Sequence, residues 1–243
     1  MPIGVICDAL SVVIGGWIGA KTGNRLSQGF KDNLNLVFGI CAMGIGVSSI
    51  PLMENMPAVI LALILGTIIG LAIHLNEHIE HAGAGLEKLL SRTLHLRGTG
   101  TADDNRTALL VTAIVLFCSS GTGIYGAIVA GMNGDHSILI AKSILDLFTA
   151  LIFACSLGAV VSAIALPQFI IFAALFACAR LIFPLTTPSM INDFKACGGF
   201  IMLATGLRIA KVKQFPIADM IPALILVWPL SALWATVVMP LLG

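Results

Sequence analysis

Apolar residues along this chain gather into long runs separated by mostly short polar breaks. The runs cover about 3–20, 35–52, 57–74, 107–130, 138–165, 167–184, 196–210 and 217–240. A bilayer core about 30 Å thick is crossed by roughly 20 apolar residues in helical form. The pattern therefore predicts an all-α, polytopic transmembrane helical bundle of about 7–8 membrane segments. Because most connections are short, residues 1–243 read as a single integral membrane domain. Segments 35–52 and 196–210 are short or rich in glycine, and read either as full spans or as broken or re-entrant helices. The first run, IGVICDALSVVIGGWIGA, lacks a basic leader and a clear cleavage pattern, so it reads as a retained span.

One stretch departs from this pattern. In 75–106 (LNEHIEHAGAGLEKLLSRTLHLRG and onward), Ile79, Leu86, Leu89, Leu90 and Leu94 recur at roughly helical spacing with charges between them. This predicts a cytoplasmic amphipathic helix at the membrane surface, followed by a loop at GTGTADDN. His74, Glu77, His78 and His81 fall on one face if the helix begins before them. That set would suit zinc, but a solvated interfacial face is the simpler reading, and no metal site is assigned.

Composition agrees with the pattern. Of the 243 residues, 58% are hydrophobic and 10% are charged, with mean hydropathy +1.03. Soluble domains carry about 25% charged residues. The lipid bilayer is the expected partner, and a net charge of +1 gives no reason to expect nucleic acid. Ten of the 13 Lys and Arg residues fall on one side if the N-terminus is outside; Lys142, Arg180 and Lys195 are the exceptions. By the positive-inside rule both termini lie outside. The six cysteines lie in apolar runs without a C-x-x-C pair, and are expected as buried small hydrophobes.

Two internal matches stand out. GICAMGIG (39–46) resembles GFIMLATG (199–206), and each is followed by a Pro-Ala that opens a new apolar run, at Pro57 and Pro222. These pairs would run in opposite directions, as in the inverted repeats of transporters. ICDALSVV (6–13) resembles ILDLFTAL (144–151), but eight crossings would make those helices parallel. Both matches cannot belong to one simple inverted repeat.

Candidate chemistry lies inside the apolar runs. Lys142 and Asp146 are four apart, so they share a helix face. Asp146 lies about 12 Å into its segment, where an ionised group costs about 2.5–3.5 kcal/mol and is usually paired or functional. Thr149 follows one turn later. Asp8, with Ser11 nearby, is the second intramembrane carboxylate. The readings are an ion or proton site, or a structural ion pair with Lys142 reaching for the interface.

CSSGTGIYGAI (118–128) is oddly polar for its run. Ser119, Gly123, Ala127 and Gly131 form a small-residue ridge suited to close helix packing. Gly15 with Gly19, and Gly66 with Gly70, repeat that spacing. Packing leaves Ser120, Thr122 and Tyr125 unexplained; Ser119, Ser120 and Thr122 would line a path if one exists. Small-residue faces also admit a homo-oligomer. Trp17, Trp228 and Trp234 are candidate interface markers, and Pro222 and Pro229 candidate kinks.

The stretches ICDALSVVIGGWIGAKTG, FCSSGTGIYGAI, AKSILDLFTALIFACSLG and CGGFIMLATGLRIAKVKQFPIADMIPALIL carry a resemblance that covers essentially the whole chain. It is similar to the YqgA/YdfK-type bacterial membrane proteins, the family of domain of unknown function 554. The resemblance implies a bacterial cytoplasmic-membrane protein. It supplies no reaction and no catalytic residues. The family carries a loose label as a sodium channel or pump and a link to biofilm formation. Members commonly show Asn where this chain has Asp8, which puts the weight on Asp146.

The expected function is a small secondary transporter or channel for an ion or small solute. Asp146, with Thr149, would bind a cation or proton, and Lys142 would tune that carboxylate by its charge; Asp8 is a further, separate candidate ligand. The alternative is a non-transporting membrane scaffold or regulator that affects surface attachment. No persuasive catalytic pair lies in the spans, so the chain is not expected to be an enzyme. No phosphate-binding G-x-x-x-x-G-K-[ST] motif is present. No cofactor is called for, a bound monovalent cation being the one candidate.

Overall fold

A computed structural model describes residues 1–22, 27–93, 110, 113, 114, 116–118 and 120–242. Every regular element among the described residues is helical. In order they are α1 (Ile3–Thr22), α2 (Gln28–Ser49), α3 (Met56–Ala72), α4 (Leu75–Thr93), α5 (Gly121–Asn133), α6 (Ser137–Leu157), α7 (Val160–Ala163), α8 (Ala165–Ile182), α9 (Pro188–Ile209), α10 (Ile217–Met220), α11 (Ala223–Leu233) and α12 (Met239–Leu242).

Among the described residues, five helical stretches are long and apolar enough to cross a membrane: Ile3–Thr22, Asp32–Leu52, Ser137–Leu157, Val160–Leu181 and Ile217–Leu241. Met56–Ala72 and Leu75–Leu86, bent by 58°, make a sixth if they form one span. The expected segment 107–130 lies partly outside the described residues. The segment expected at 196–210 belongs to α9, which starts earlier, at Pro188, and carries Asp193, Lys195 and Arg208.

Neither segment singled out as a candidate broken helix is broken. α2 and α9 are each one continuous helix of 22 residues. Gly39 and Gly46 of α2, and Gly199 and Gly206 of α9, face a neighbouring helix instead of opening the backbone. The breaks fall elsewhere. His74 takes φ 51 between α3 and α4, so it leaves the helical register of Glu77, His78 and His81. The expected span 138–165 is cut at Gly158, whose φ of 79 ends α6. Ser120 is extended, with ψ 134, and opens α5. Pro222 stands at the start of α11, Pro229 inside it, and a π-helical turn follows at Trp234–Val238.

The contacts sort the chain into two compact units: Met1–Asn35 with Glu77–Cys178, and Leu36–Asn76 with Ala179–Gly243. In the first, α1 packs against α6 through glycines. A Cβ on Gly15 would sit 2.1 Å from the Leu147 carbonyl oxygen, and one on Gly19 2.2 Å from that of Leu151. Gly4 meets Leu139. The two series rise together, so the helices run parallel. Gly16 makes room for Ser162, whose hydroxyl donates to the Val13 carbonyl at 3.0 Å. Val12, Ile114, Phe117, Ala150, Ala154 and Val161 fill the core between them.

In the second unit Gly39 meets the Gly206 carbonyl and Gly46 that of Gly199; seen from α9, Gly199 meets Gly46 and Gly206 meets Gly39. The matched motifs therefore pack on each other, antiparallel and reciprocally. Gly66 and Gly70 press on Ala223 and Asp219 in the same way, bringing α3 antiparallel to the α10–α11 segment. Both G-x-x-x-G spacings thus mark close helix packing. Trp228, a candidate interface marker, stacks on Phe194 with ring centroids 4.7 Å apart.

The burial pattern is that of a protein in lipid. On α1 the buried positions include Gly4, Asp8, Ser11, Gly15 and Gly19, whereas Leu10, Ile14 and Trp17 are exposed. Ile60, Ile64 and Ile68 make an exposed stripe on α3, as do Ile140, Ile144 and Phe148 on α6. Apolar stripes this long are unsuited to water but match hydrocarbon. Three cysteines follow that outer face: Cys7, Cys41 and Cys178 are exposed, while Cys118, Cys155 and Cys197 are buried as expected. An apolar run has a lipid face as well as a core face, which is why half of them look outward.

Candidate functional site

The polar side chains of the inward faces do not scatter. Asp8 from α1, Lys142 and Asp146 from α6, and Gln168 from α8 converge inside the first unit. Lys142 Nζ bonds Asp146 Oδ2 one turn along its own helix and lies 3.3 Å from Asp8 Oδ2. Gln168 Nε2 donates to the same two oxygens, at 2.9 Å to Asp8 and 3.0 Å to Asp146. Asp8 and Gln168 are 0% exposed, Lys142 2% and Asp146 8%. The lysine thus points inward between two carboxylates and does not reach for the interface.

Two carboxylates and one ammonium give the cluster a formal charge of −1. Its hydrogen bonding is also incomplete. Asp8 Oδ1 and Gln168 Oε1 are buried without a hydrogen-bond partner among the described residues. Buried polar atoms are normally paired, and each exception calls for a reason. Here both orphans are acceptors and the net charge is negative. The arrangement lacks positive charge and donors, which is what a cation or an added proton would supply.

Gly123 and the start of α5 lie beside the lysine. A Cβ on Gly123 would come within 2.1 Å of Phe172 Cζ and 2.9 Å of Lys142 Cε, so the missing side chain leaves room for both. The Phe172 ring faces Lys142 Nζ at 5.5 Å from its centroid, a cation–π distance. Ser120 caps α5 by accepting from the Gly123 amide at 3.0 Å. The polar stretch CSSGTG therefore starts a new helix against the charged cluster. Irregular backbone at membrane depth is tolerated only when it is buried or lines a cavity, and discontinuous helices commonly border transport sites.

The remaining candidates divide. Thr122 is buried in the first turn of α5. Thr149 turns back to its own helix and donates to the Leu145 carbonyl at 2.8 Å. Ser11 likewise bonds the Asp8 carbonyl at 2.6 Å. Ser119 lies outside the described residues. Of the expected ridge, Gly123, Ala127 and Gly131 share α5, which opens after Ser120. Gln168 was not read from the sequence. A lone amide in ALPQFIIFAALFA is the only signal for it in the sequence.

A second buried carboxylate network, also unread from the sequence, lies in the other unit. Asp193 Oδ1 accepts from the amides of Glu54 at 2.9 Å and Asn55 at 2.8 Å. Its Oδ2 accepts from Asn55 Nδ2 at 2.8 Å and the Ser231 hydroxyl at 2.6 Å. Asp193 thereby ties the start of α3 to α9 and α11. Asp219 does the same for α4, accepting from the Asn76 amide at 3.0 Å.

With this geometry in view, comparison with known sequences is informative. The model of the family described as "Protein of unknown function (DUF554)" matches residues 3–232. The chain belongs to that family. It is 46% identical to "Uncharacterized protein YqgA" of Escherichia coli (strain K12) over 234 residues, which cover 96% of this chain and 98% of that protein. It is 24% identical to "Uncharacterized membrane protein YdfK" of Bacillus subtilis (strain 168) over 229 residues, 92% of this chain and 93% of that one. No solved structure matches the chain. The family and the apolar helices agree on a membrane protein; the buried charge cluster is where its chemistry is to be sought.

Proposed function

We propose that this protein is a small secondary transporter or channel for an ion or small solute, with its binding site at Asp8, Lys142, Asp146 and Gln168. The observation that carries the reading is a buried cluster of negative formal charge with two unpartnered acceptors. Burying ions in a membrane is costly and needs a function or full compensation, and here compensation is incomplete. The α5 start beside Lys142 supports a lined path, with Ser120 and Thr122 near it. Asp146 is the essential ligand, and Thr149 at most a secondary one.

The helix directions support about eight alternating crossings. α1 and α6 run parallel, as first and fifth crossings do. α2 and α9, and α3 and the α10–α11 segment, run antiparallel, as do second and seventh, third and eighth. The reciprocal packing of GICAMGIG and GFIMLATG fits an inverted repeat. The protein resides in the bacterial cytoplasmic membrane with both termini outside, a reading that rests on the Lys and Arg asymmetry.

Flux into proteoliposomes of the purified protein, under sodium, potassium and proton gradients in turn, tests this reading against empty liposomes. Selective flux that disappears in a folded Asp146→Asn variant is the expected result. One observation favours a non-transporting scaffold instead: Lys142 already bridges both carboxylates. A scaffold would show no flux and no response of stability to any cation.

A further inference from the structure

Lys142 occupies the position that a cation would take. Its ammonium lies between Asp8 and Asp146, and the free acceptors Asp8 Oδ1 and Gln168 Oε1 belong to the same side chains it contacts or adjoins. We propose that the cluster is an exchange site at which the proton of Lys142 and a monovalent cation compete for the same carboxylates. This deepens the transport reading and rests on it.

Two like charges about 4 Å apart repel enough to lower affinity about a thousandfold at an effective dielectric constant near 20. A cation therefore binds the two carboxylates well only when Lys142 is neutral. The step balances simply. The resting cluster holds two carboxylates and an ammonium. The cation enters, the Lys142 N–H bond breaks, the electron pair stays on nitrogen, and the proton leaves to water. The charge is −1 before and after, so one cation is exchanged for one proton and the turnover is electroneutral.

The groups around Lys142 suit this. Asp8 faces it from α1 and Asp146 from its own helix; Gln168 and Phe172 stand on α8. Gly123 on α5 brings no titratable group, and the buried Cys118 thiol lies within electrostatic reach. Among the described residues, these neighbours include no second fixed cation to keep the site neutral once Lys142 loses its proton. Among the described residues no three His, Cys, Asp or Glu side chains are grouped to hold a metal ion. Exchange of one proton for one positive charge calls for a monovalent cation.

The test uses purified protein in proteoliposomes carrying an internal pH dye, with pulses of lithium, sodium and potassium chloride and the membrane potential clamped. In the wild type, cation entry should move protons outward, independent of the clamped potential. Its apparent cation affinity should rise about tenfold per pH unit while one proton competes with one cation. Lys142→Arg keeps a charge that cannot be shed and should abolish exchange at every pH tested. Lys142→Met should still carry the cation but without proton counterflow at alkaline pH, and so become sensitive to potential. Size-exclusion profiles establish that each variant folds. If neither variant folds, the wild-type pH slope and potential independence decide alone. Cation flux without proton movement in the wild type, or unchanged exchange in either variant, would overturn the exchange step and leave transport standing. No cation flux in the wild type would remove both.

Discussion

Two buried carboxylate networks in this protein are built from similar residues and end differently. Asp193, in the unit holding α3, α9 and α11, accepts from two backbone amides, one side-chain amide and one hydroxyl, and both its oxygens are used. Asp8, in the unit holding α1, α6 and α8, has one oxygen crowded by Lys142 and Gln168 and the other left without a partner. Asp193 contacts neutral donors, three at the start of α3 and one hydroxyl on α11, while Asp8 and Asp146 share one ammonium. A satisfied network rigidifies its surroundings; an unsatisfied one is a strain on the fold that persists where it serves something else. The difference fits a stabilising role for the Asp193 network and, on the transport reading proposed above, ion binding at the Asp8 cluster.

That contrast can be broken by substitution. The largest effect should come from Asp146→Asn, which keeps the shape of the cluster but removes charge: flux should fall to the level of empty liposomes while the detergent-solubilised protein still elutes as a folded species. Asp193→Ala should do the opposite. It strands buried donors at about 1–3 kcal/mol each, so thermal unfolding in detergent should shift by several degrees, with cation selectivity unchanged in the fraction that folds.

Smaller effects sharpen the picture of the scaffold around each network. Gly19→Ala puts a Cβ 2.2 Å from the Leu151 carbonyl oxygen. Separating α1 from α6 should cost about 1–3 kcal/mol and weaken flux by displacing Asp8 from Lys142. Gly44→Ala, where nothing lies within 4 Å, should leave both melting and flux as they are. Ser120→Ala removes the α5 cap and should cost about 1 kcal/mol, seen as a small drop in melting temperature.

Much of this was legible in the sequence, and the parts that were not share a cause. Long apolar runs gave the helices, and G-x-x-x-G gave the close contacts of Gly15, Gly19, Gly66 and Gly70, because both signals are local. The i, i+4 spacing likewise gave Lys142 with Asp146. Asp8 reads only as a separate candidate, since nothing local tells that α1 lies against α6. Gln168 and Asp193 are not legible locally because their partners lie on other helices, Asp8 and Asp146 being 160 and 22 residues from Gln168, and Asn55 and Ser231 138 and 38 residues from Asp193. Glycine in GICAMGIG suggested a broken helix, yet a glycine also serves a close neighbour, and the motif alone does not separate the two. Two of the breaks, at His74 and Ser120, sit where polar residues interrupt the apolar pattern; the third falls at Gly158.

The central claim is that the cluster around Lys142 handles ions and the Asp193 network does not. Side-by-side cation flux in proteoliposomes of wild type, Asp146→Asn and Asp193→Asn tests it most directly. The account predicts flux in the wild type and in Asp193→Asn, and none in Asp146→Asn. Equal flux in all three, or loss in Asp193→Asn with retention in Asp146→Asn, would contradict it.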